Sequence, residues 1–312
     1  MIARLLDRRP ERPPWVTVDA GDDCAVVHGH TALKVDTLVE GIHFDERTPD
    51  EAVGYKVVAV CASDLGAVGA RPEWLLLSLT LPRAPGVEER AEAIARGVRQ
   101  ACAAFGVYLV GGDVTGTRAD GPAMLSASMG GTCVATPRRR AGARPGDLVW
   151  VTGTPGLAGL GWMSADPPAE ALAALHRPRP PMAFALDAAC RGMATAAMDL
   201  SDGLSSDVPR LAEASAVRVV LDPDCFPLHD LLRDDPDARR YVMCGGDDYE
   251  LLFTTDPADA RAVLALGEEH GVRVTAIGVV ERGQGASLVG GAWPQPAFEH
   301  FDADPPPEPE RG

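Results

Sequence analysis

Apolar positions recur along the chain with two periods, one of strands and one of helices. Residues 55–65 form a largely apolar stretch with many small side chains, Ala59, Cys61, Ala62 and Ser63 among them. This predicts a helix buried against a sheet. A Gly-containing turn over 69–72 and a strand over 74–81 follow it. Short strands are predicted over 16–18, 24–28 and 32–35. Ala91, Ile94, Val98 and Ala101 recur at helical spacing with charges between them, which predicts a surface helix over 87–105. Strands over 107–110 and 123–134 close the first half. The second half opens on a strand over 148–152. Helices over 169–176 and 183–192, a strand over 195–200, a helix over 205–214 and a strand over 217–221 continue it. After a polar connection over 223–240 come a strand over 251–254, a helix over 258–270 and strands over 272–280 and 286–289. Pro209 falls near the first turn of its helix, where a missing N–H costs little. A short amphipathic helix is expected over 2–8.

This alternation predicts an α/β (α+β) fold in two domains, and 312 residues suffice for two cores. The charge run Pro137-Arg138-Arg139-Arg140 reads as the linker. The expected division is an N-terminal domain over 1–140, a C-terminal α/β domain over 141–301, and a disordered Pro- and Glu-rich tail over 302–312.

Composition narrows the function. Hydrophobic residues make up 46% and charged residues 24%, and the formal net charge is −16. Such a balance speaks against a nucleic-acid partner. No apolar run reaches membrane-spanning length, and no leader precedes the first helix, so no membrane partner is expected. The seven cysteines are scattered, with no CxxC pair, which predicts reduced thiols and a cytoplasmic location. Lysine occurs only at positions 34 and 56, which reads as coding bias.

The informative chemistry lies in aspartates at strand ends or in Gly-containing turns: Asp22 and Asp23, Asp36, Asp64, Asp113, Asp199 and Asp202. An acid in an apolar helix, such as Asp64, is costly to bury unless it is paired or binds a cation. Apolar strands that lead into carboxylates are the pattern of a Mg²⁺ site, which takes oxygen ligands and works with substrate phosphates. Taken singly, each of these segments is also ordinary cap or turn chemistry.

The segments GDDCAVV, VDTLVEGIHF, YKVVAVCASDLGAVGARP, LVGGDVTGT, VTGTPG, AMDLSDGLSSDVPRLAEAS and GGDDYELLFT occur in this order. Together they resemble the thiamine-monophosphate kinase family, of the ATP-binding superfamily that includes aminoimidazole ribonucleotide synthetase. The stretch Val39 to Phe44 favours the kinase over that synthetase. The resemblance implies two α/β domains, with the N-terminal domains of two subunits paired in a homodimer. It also implies ATP-dependent phosphorylation of thiamine monophosphate by direct transfer, with no protein nucleophile or base. Asp23, Asp36, Asp64, Asp113, Asp199 and Asp202 would hold several Mg²⁺ ions. Gly112, Asp113, Arg140 and Ser201 would bind ATP, and His43, Asp247 and Trp293 the thiamine substrate.

The chain departs from the family's pattern at several places. Lys34 and Val35 stand where hydroxyl residues are usual, and Val114 replaces a Thr. Leu157 and Ala158 replace an Asp-Ser pair, Pro181 an Arg, and Asp247 a glutamate. The substrate-stacking aromatic aligns with Gln295, and Trp293 serves only with a two-residue slip. Two alternatives therefore stay open: a related ATP-dependent enzyme with another phosphorylated acceptor, and a catalytically silent nucleotide-binding homologue.

Overall fold

The structure, a computed structural model, describes residues 11–295. The helix expected over 2–8 and the tail lie outside the described residues. The first sheet is built from β1 (Val16–Val18), β2 (Ala25–Val27), β3 (Thr31–Val39), β4 (Ala70–Pro82), β5 (Tyr108–Thr117) and β6 (Met124–Cys133), in the order β1-β2-β3-β6-β4-β5. Helices α1 (Asp50–Val68) and α2 (Val87–Phe105) belong to this half. The second sheet comprises β7 (Leu148–Thr152), β8 (Ala196–Leu200), β9 (Arg218–Leu221), β10 (Glu250–Thr255), β11 (Val274–Glu281) and β12 (Gly285–Leu288), in the order β12-β9-β11-β7-β10-β8. Around it lie α3 (Leu157–Met163), α4 (Ala169–His176), α5 (Met182–Cys190), α6 (Leu204–Ser215), α7 (Ala238–Cys244) and α8 (Ala260–His270). Two α/β units, each with its own sheet, are the architecture that the alternating pattern predicts.

The period-2 alternation of β3 sorts its residues. Ala32 and Leu38 are buried in the core with α1, so Lys34 and Asp36 share that inner face, while Val35 faces outward. Helix α1 is buried on nearly all sides, from Ala52 through Val68. It packs on β3, β4 and β6 of its own sheet and also on β8, β10, α4 and α5 of the second half. Because it faces two sheets, it has no polar face, and its small residues permit the close approach.

The two helices of the first half meet backbone to backbone. A Cβ added at Gly54 would fall on the Ile94 carbonyl, and one at Gly97 on the Glu51 carbonyl. Helix α1 ends at Gly69, whose φ of 82° lets its N–H reach the carbonyls of Gly66 and Leu65.

Three local expectations need correction. The turn predicted over 69–72 is a single left-handed glycine, because β4 starts at Ala70 to pair with Cys133 of β6. Gly111, Gly112 and Asp113 do not form a turn after a strand. β5 runs straight through them in parallel register with β4, and a Cβ at Gly112 would strike the Leu77 carbonyl. Helix α3 was not predicted. It is only 7 residues long, and the half-buried Asp248, distant in sequence, accepts the Gly156 N–H at its start.

Gly97→Ala tests the helix crossing. In an exposed helix this change gains about 1 kcal/mol. Here the clash with backbone outweighs that, and a net loss of about 1–3 kcal/mol is expected from urea unfolding. A stabilised variant would show that the helices yield freely at this contact.

Candidate active site

Three carboxylates meet where the two halves join. Asp23 comes from the loop before β2, Asp64 from α1 and Asp199 from β8. One oxygen from each lies within 4.8 Å of the others, and all three residues are buried. Two cations reach into this cluster. The Arg140 guanidinium donates to Asp23 at 2.7 Å through Nε, and the Lys34 ammonium donates to Asp64 at 2.8 Å. Lys34 Nζ also stands 3.5 Å from Asp36 Oδ2. Among the described residues no side chain pairs with the Asp199 carboxylate.

The electrostatics follow from this crowding. Burial, and then the charge of Asp199, push the Asp64 carboxyl well above its usual range, against the pull of Lys34. Burial and the charge of Asp23 do the same to Asp199. Asp23 is raised by burial, with Arg140 opposing. For Lys34, burial disfavours the ammonium, but Asp64, Asp36 and Asp199 outweigh it and keep the group protonated.

Four acids (Asp23, Asp36, Asp64 and Asp199) against two cations leave a surplus of two formal negative charges in a mostly dry site. A hard divalent cation suits this donor set of carboxylate oxygens. The buried Ser63 hydroxyl finds no hydrogen-bond partner among the described residues, and it lines the same small cavity as Asp199.

The remaining sequence candidates are placed differently. Asp113 stands on the exposed strand β5, in register with Ser78, and is not part of the three-acid cluster. Asp202 is also outside it and pairs with Arg210. Gly112 lies beside Asp113 on β5. Ser201 lies in the turn after β8, where its N–H and that of Asp202 donate to the buried Asp207. Asp207, raised to about 7 by burial and by Asp202, thus shapes this turn. His43 accepts the Val39 N–H at 3.0 Å. Trp293 packs on the second core and donates its indole N–H to the Ser205 carbonyl at 3.1 Å.

Sequence reasoning did not single out Lys56. It is almost fully buried within α1, pairs with Asp247 at 3.0 Å and donates to the His43 carbonyl at 3.3 Å. Tyr249 donates its hydroxyl to the other Asp247 oxygen at 2.9 Å. Asp247 and Tyr249 both hold positive φ, 61° and 52°, a strained geometry for non-glycine residues. The contact ties α1 to the loop before β10. A lysine inside an otherwise apolar helix was the available signal.

Comparison with known proteins shows the family. Residues 21–133 match the family model for the AIR synthase related protein, N-terminal domain, and residues 144–291 match the model for its C-terminal domain. The thiamine-monophosphate kinase of Salmonella typhimurium is 37% identical over 296 residues, covering 89% of this chain and 88% of the relative. The chain belongs to the thiamine-monophosphate kinase family. The enzyme of Caulobacter vibrioides is 34% identical, covering 92% of this chain and 84% of its own length. Among solved structures, the kinase from Stenotrophomonas maltophilia superposes with a TM-score of 0.77 at 34% identity, over 93% of this chain and 95% of that one. AaThiL complexed with AMPPCP and TMP gives a TM-score of 0.79 at 28% identity, over 96% and 94%. The hydrogenase maturation protein HypE of E. coli shares the fold alone, with a TM-score of 0.67 at 19% identity over 93% and 95%.

Two outcomes test the site's electrostatics. The buried acids have folded pKa values above their unfolded value of 3.8, so the folded chain binds more protons there. Stability in chelator therefore falls as pH rises above about 4, through a window that for Asp207 ends at about 7. Lys34 stays protonated in this range and adds no slope. Melting temperatures with EDTA should drop across this window, and MgCl₂ should restore them most at the upper end; a flat or rising profile in EDTA contradicts the account.

The Lys56–Asp247 pair gives the second test. Asp247→Ala strands a buried ammonium and should cost about 3 kcal/mol. Lys56→Met should cost less, because the Asp247 side chain is 28% exposed and water can reach it. Urea unfolding midpoints compare the two, and equal losses would refute the asymmetry.

Proposed function

We infer that this chain phosphorylates thiamine monophosphate with ATP to give thiamine diphosphate. The observation that carries the inference is the acid cluster of Asp23, Asp64 and Asp199, assembled from three separate elements in a member of this kinase family. The AaThiL structure, with its AMPPCP and TMP, supports the pairing of these two ligands in one fold.

Asp23, Asp64 and Asp199 would hold Mg²⁺, with Asp36 beside them and Asp113 and Asp202 as further ligands. Bound Mg²⁺ supplies charge neutralisation to the phosphates. The chain's own residues do the rest. Helix α1 and the two sheets exclude bulk water around Asp64. Arg140, now on Asp23, is positioned to exchange that carboxylate for a phosphate oxygen of ATP, which its planar fork suits. Gly112 and Ser201 offer close backbone and hydroxyl contacts to the nucleotide. His43 and Asp247, both in contact with Lys56, would contact the thiamine side, with Trp293 as a further contact. The acceptor is a phosphate oxygen that is already ionised, so no general base is needed and the transfer is direct and in line.

A homodimer completes the reading. β5 is exposed along nearly its whole length and forms an open sheet edge. Tyr108, Leu109, Val110 and Val114 on it, with Leu76 on β4 and Val35 on β3, are exposed apolar side chains. Such an edge and patch favour pairing with a second copy. Among the described residues no helix is long and apolar enough to cross a membrane. The free cysteines agree with the cytoplasm.

Purified protein with ATP, MgCl₂ and thiamine monophosphate should form thiamine diphosphate, read by chromatography. Asp64→Asn should lower kcat at least about a hundredfold, since metal charge stabilisation is worth several kcal/mol. A phosphoenzyme trapped with labelled ATP would refute direct transfer. If the parent gives no product while ATP with MgCl₂ raises its melting temperature, a silent nucleotide-binding homologue is the correct reading.

A further inference from the structure

The chain carries 29 basic residues, of which two are lysines. Both lysines are drawn inward at the junction of the two halves, Lys56 to Asp247 and Lys34 to the acid cluster. Elsewhere every basic side chain is arginine. Arginine presents a wide planar fork, whereas lysine presents a compact, strongly hydrated point charge. A compact point charge among carboxylate oxygens is what a small cation offers.

Lys34 has that geometry. It rises from the inner face of β3, and its Nζ stands between Asp64 Oδ1 at 2.8 Å and Asp36 Oδ2 at 3.5 Å. The cluster is thus served from two sides by the protein's own cations, Lys34 on Asp64 and Arg140 on Asp23. The Asp199 side has no such partner among the described residues.

We propose that the Lys34 ammonium is a resident cation that takes the place of one divalent ion between Asp64 and Asp36, leaving the Asp199 side for metal. The proposal rests on reading the cluster as a divalent-cation site, and it concerns how many ions that site accepts. Lys34 is here a positioning residue. It holds two carboxylates together and keeps a cation out, so the chain should load fewer divalent ions than the same cage with a neutral residue at 34.

The test counts ions. Full-length parent, Lys34→Thr, Lys34→Met and Asp64→Asn are titrated with MnCl₂ alone, and free Mn²⁺ is read by electron paramagnetic resonance. Thr offers an oxygen ligand, and Met fills the stem volume without charge. Binding by the parent that Asp64→Asn weakens establishes the cage. On that footing, Lys34→Thr should bind one more Mn²⁺ per chain than the parent. Lys34→Met should bind Mn²⁺ at least about tenfold more tightly than the parent, because a repelling charge has left the site. Equal stoichiometry and affinity in the parent and both Lys34 variants overturns the Lys34 inference alone. Absence of Mn²⁺ binding in every protein overturns the cage reading and this inference with it.

Melting temperatures cover the case in which a variant folds poorly. Removing Lys34 leaves Asp64 and Asp36 without their cation, so both variants should be rescued by MnCl₂ by more degrees than the parent gains. Equal gains count against the proposal. If Lys34 instead serves to grip phosphate, its removal weakens binding of the ATP analogue AMPPCP and leaves the Mn²⁺ count unchanged, which also overturns the proposal.

Discussion

Carboxylates that share a dry site repel one another, and much of this molecule is arranged around the repulsion among Asp23, Asp64 and Asp199. Burial alone disfavours each charge, and their proximity adds to it. The chain tolerates the arrangement because each acid comes from a different element, and because Lys34 and Arg140 offset part of the charge. On the proposed reading, the surplus negative charge is stored where cations and phosphates would meet. Stability given up at the site is what ligand binding there would return.

Helix α1 makes this geometry possible. It is covered by the first sheet and α2 on one side and by the second half on the other, so it cannot carry the usual polar stripe. Its two buried charged residues, Lys56 and Asp64, each find an opposite charge outside the helix. Lys56 reaches Asp247 in the second half, and Asp64 reaches Lys34 in the first. The helix therefore couples the relative placement of the halves to the assembly of the acid cluster. Glycines at 54 and 97 bring α2 close enough to cover it.

Much of the fold was legible in the chain. The small-residue run at 55–65, the helical spacing of Ala91, Ile94, Val98 and Ala101, and the short apolar strands identified most elements and the two-domain plan. The misreadings had local causes. Gly-Gly-Asp at 111–113 has turn composition, yet the pairing of β5 with β4 holds it extended. Helix α3 depends on Asp248, which lies 92 positions from the N–H it accepts, and no local signal announces such a partner. Of the site, the acids stood out as a set because apolar strands led into them.

By itself the sequence determined most of the strand and helix order, the family through seven colinear segments, and the stock of aspartates. Those are properties of local pattern and residue type. Tertiary structure decided which aspartates meet. It drew Asp23, Asp64 and Asp199 within 4.8 Å and left Asp113 on an exposed edge strand. It also decided that the two lysines, Lys56 buried and Lys34 half-buried, are paired cations at the junction of the halves, where composition had suggested only coding bias. The reason is physical: the energy of a charge depends on its distance to other charges and to water, and neither distance is written in the neighbouring residues.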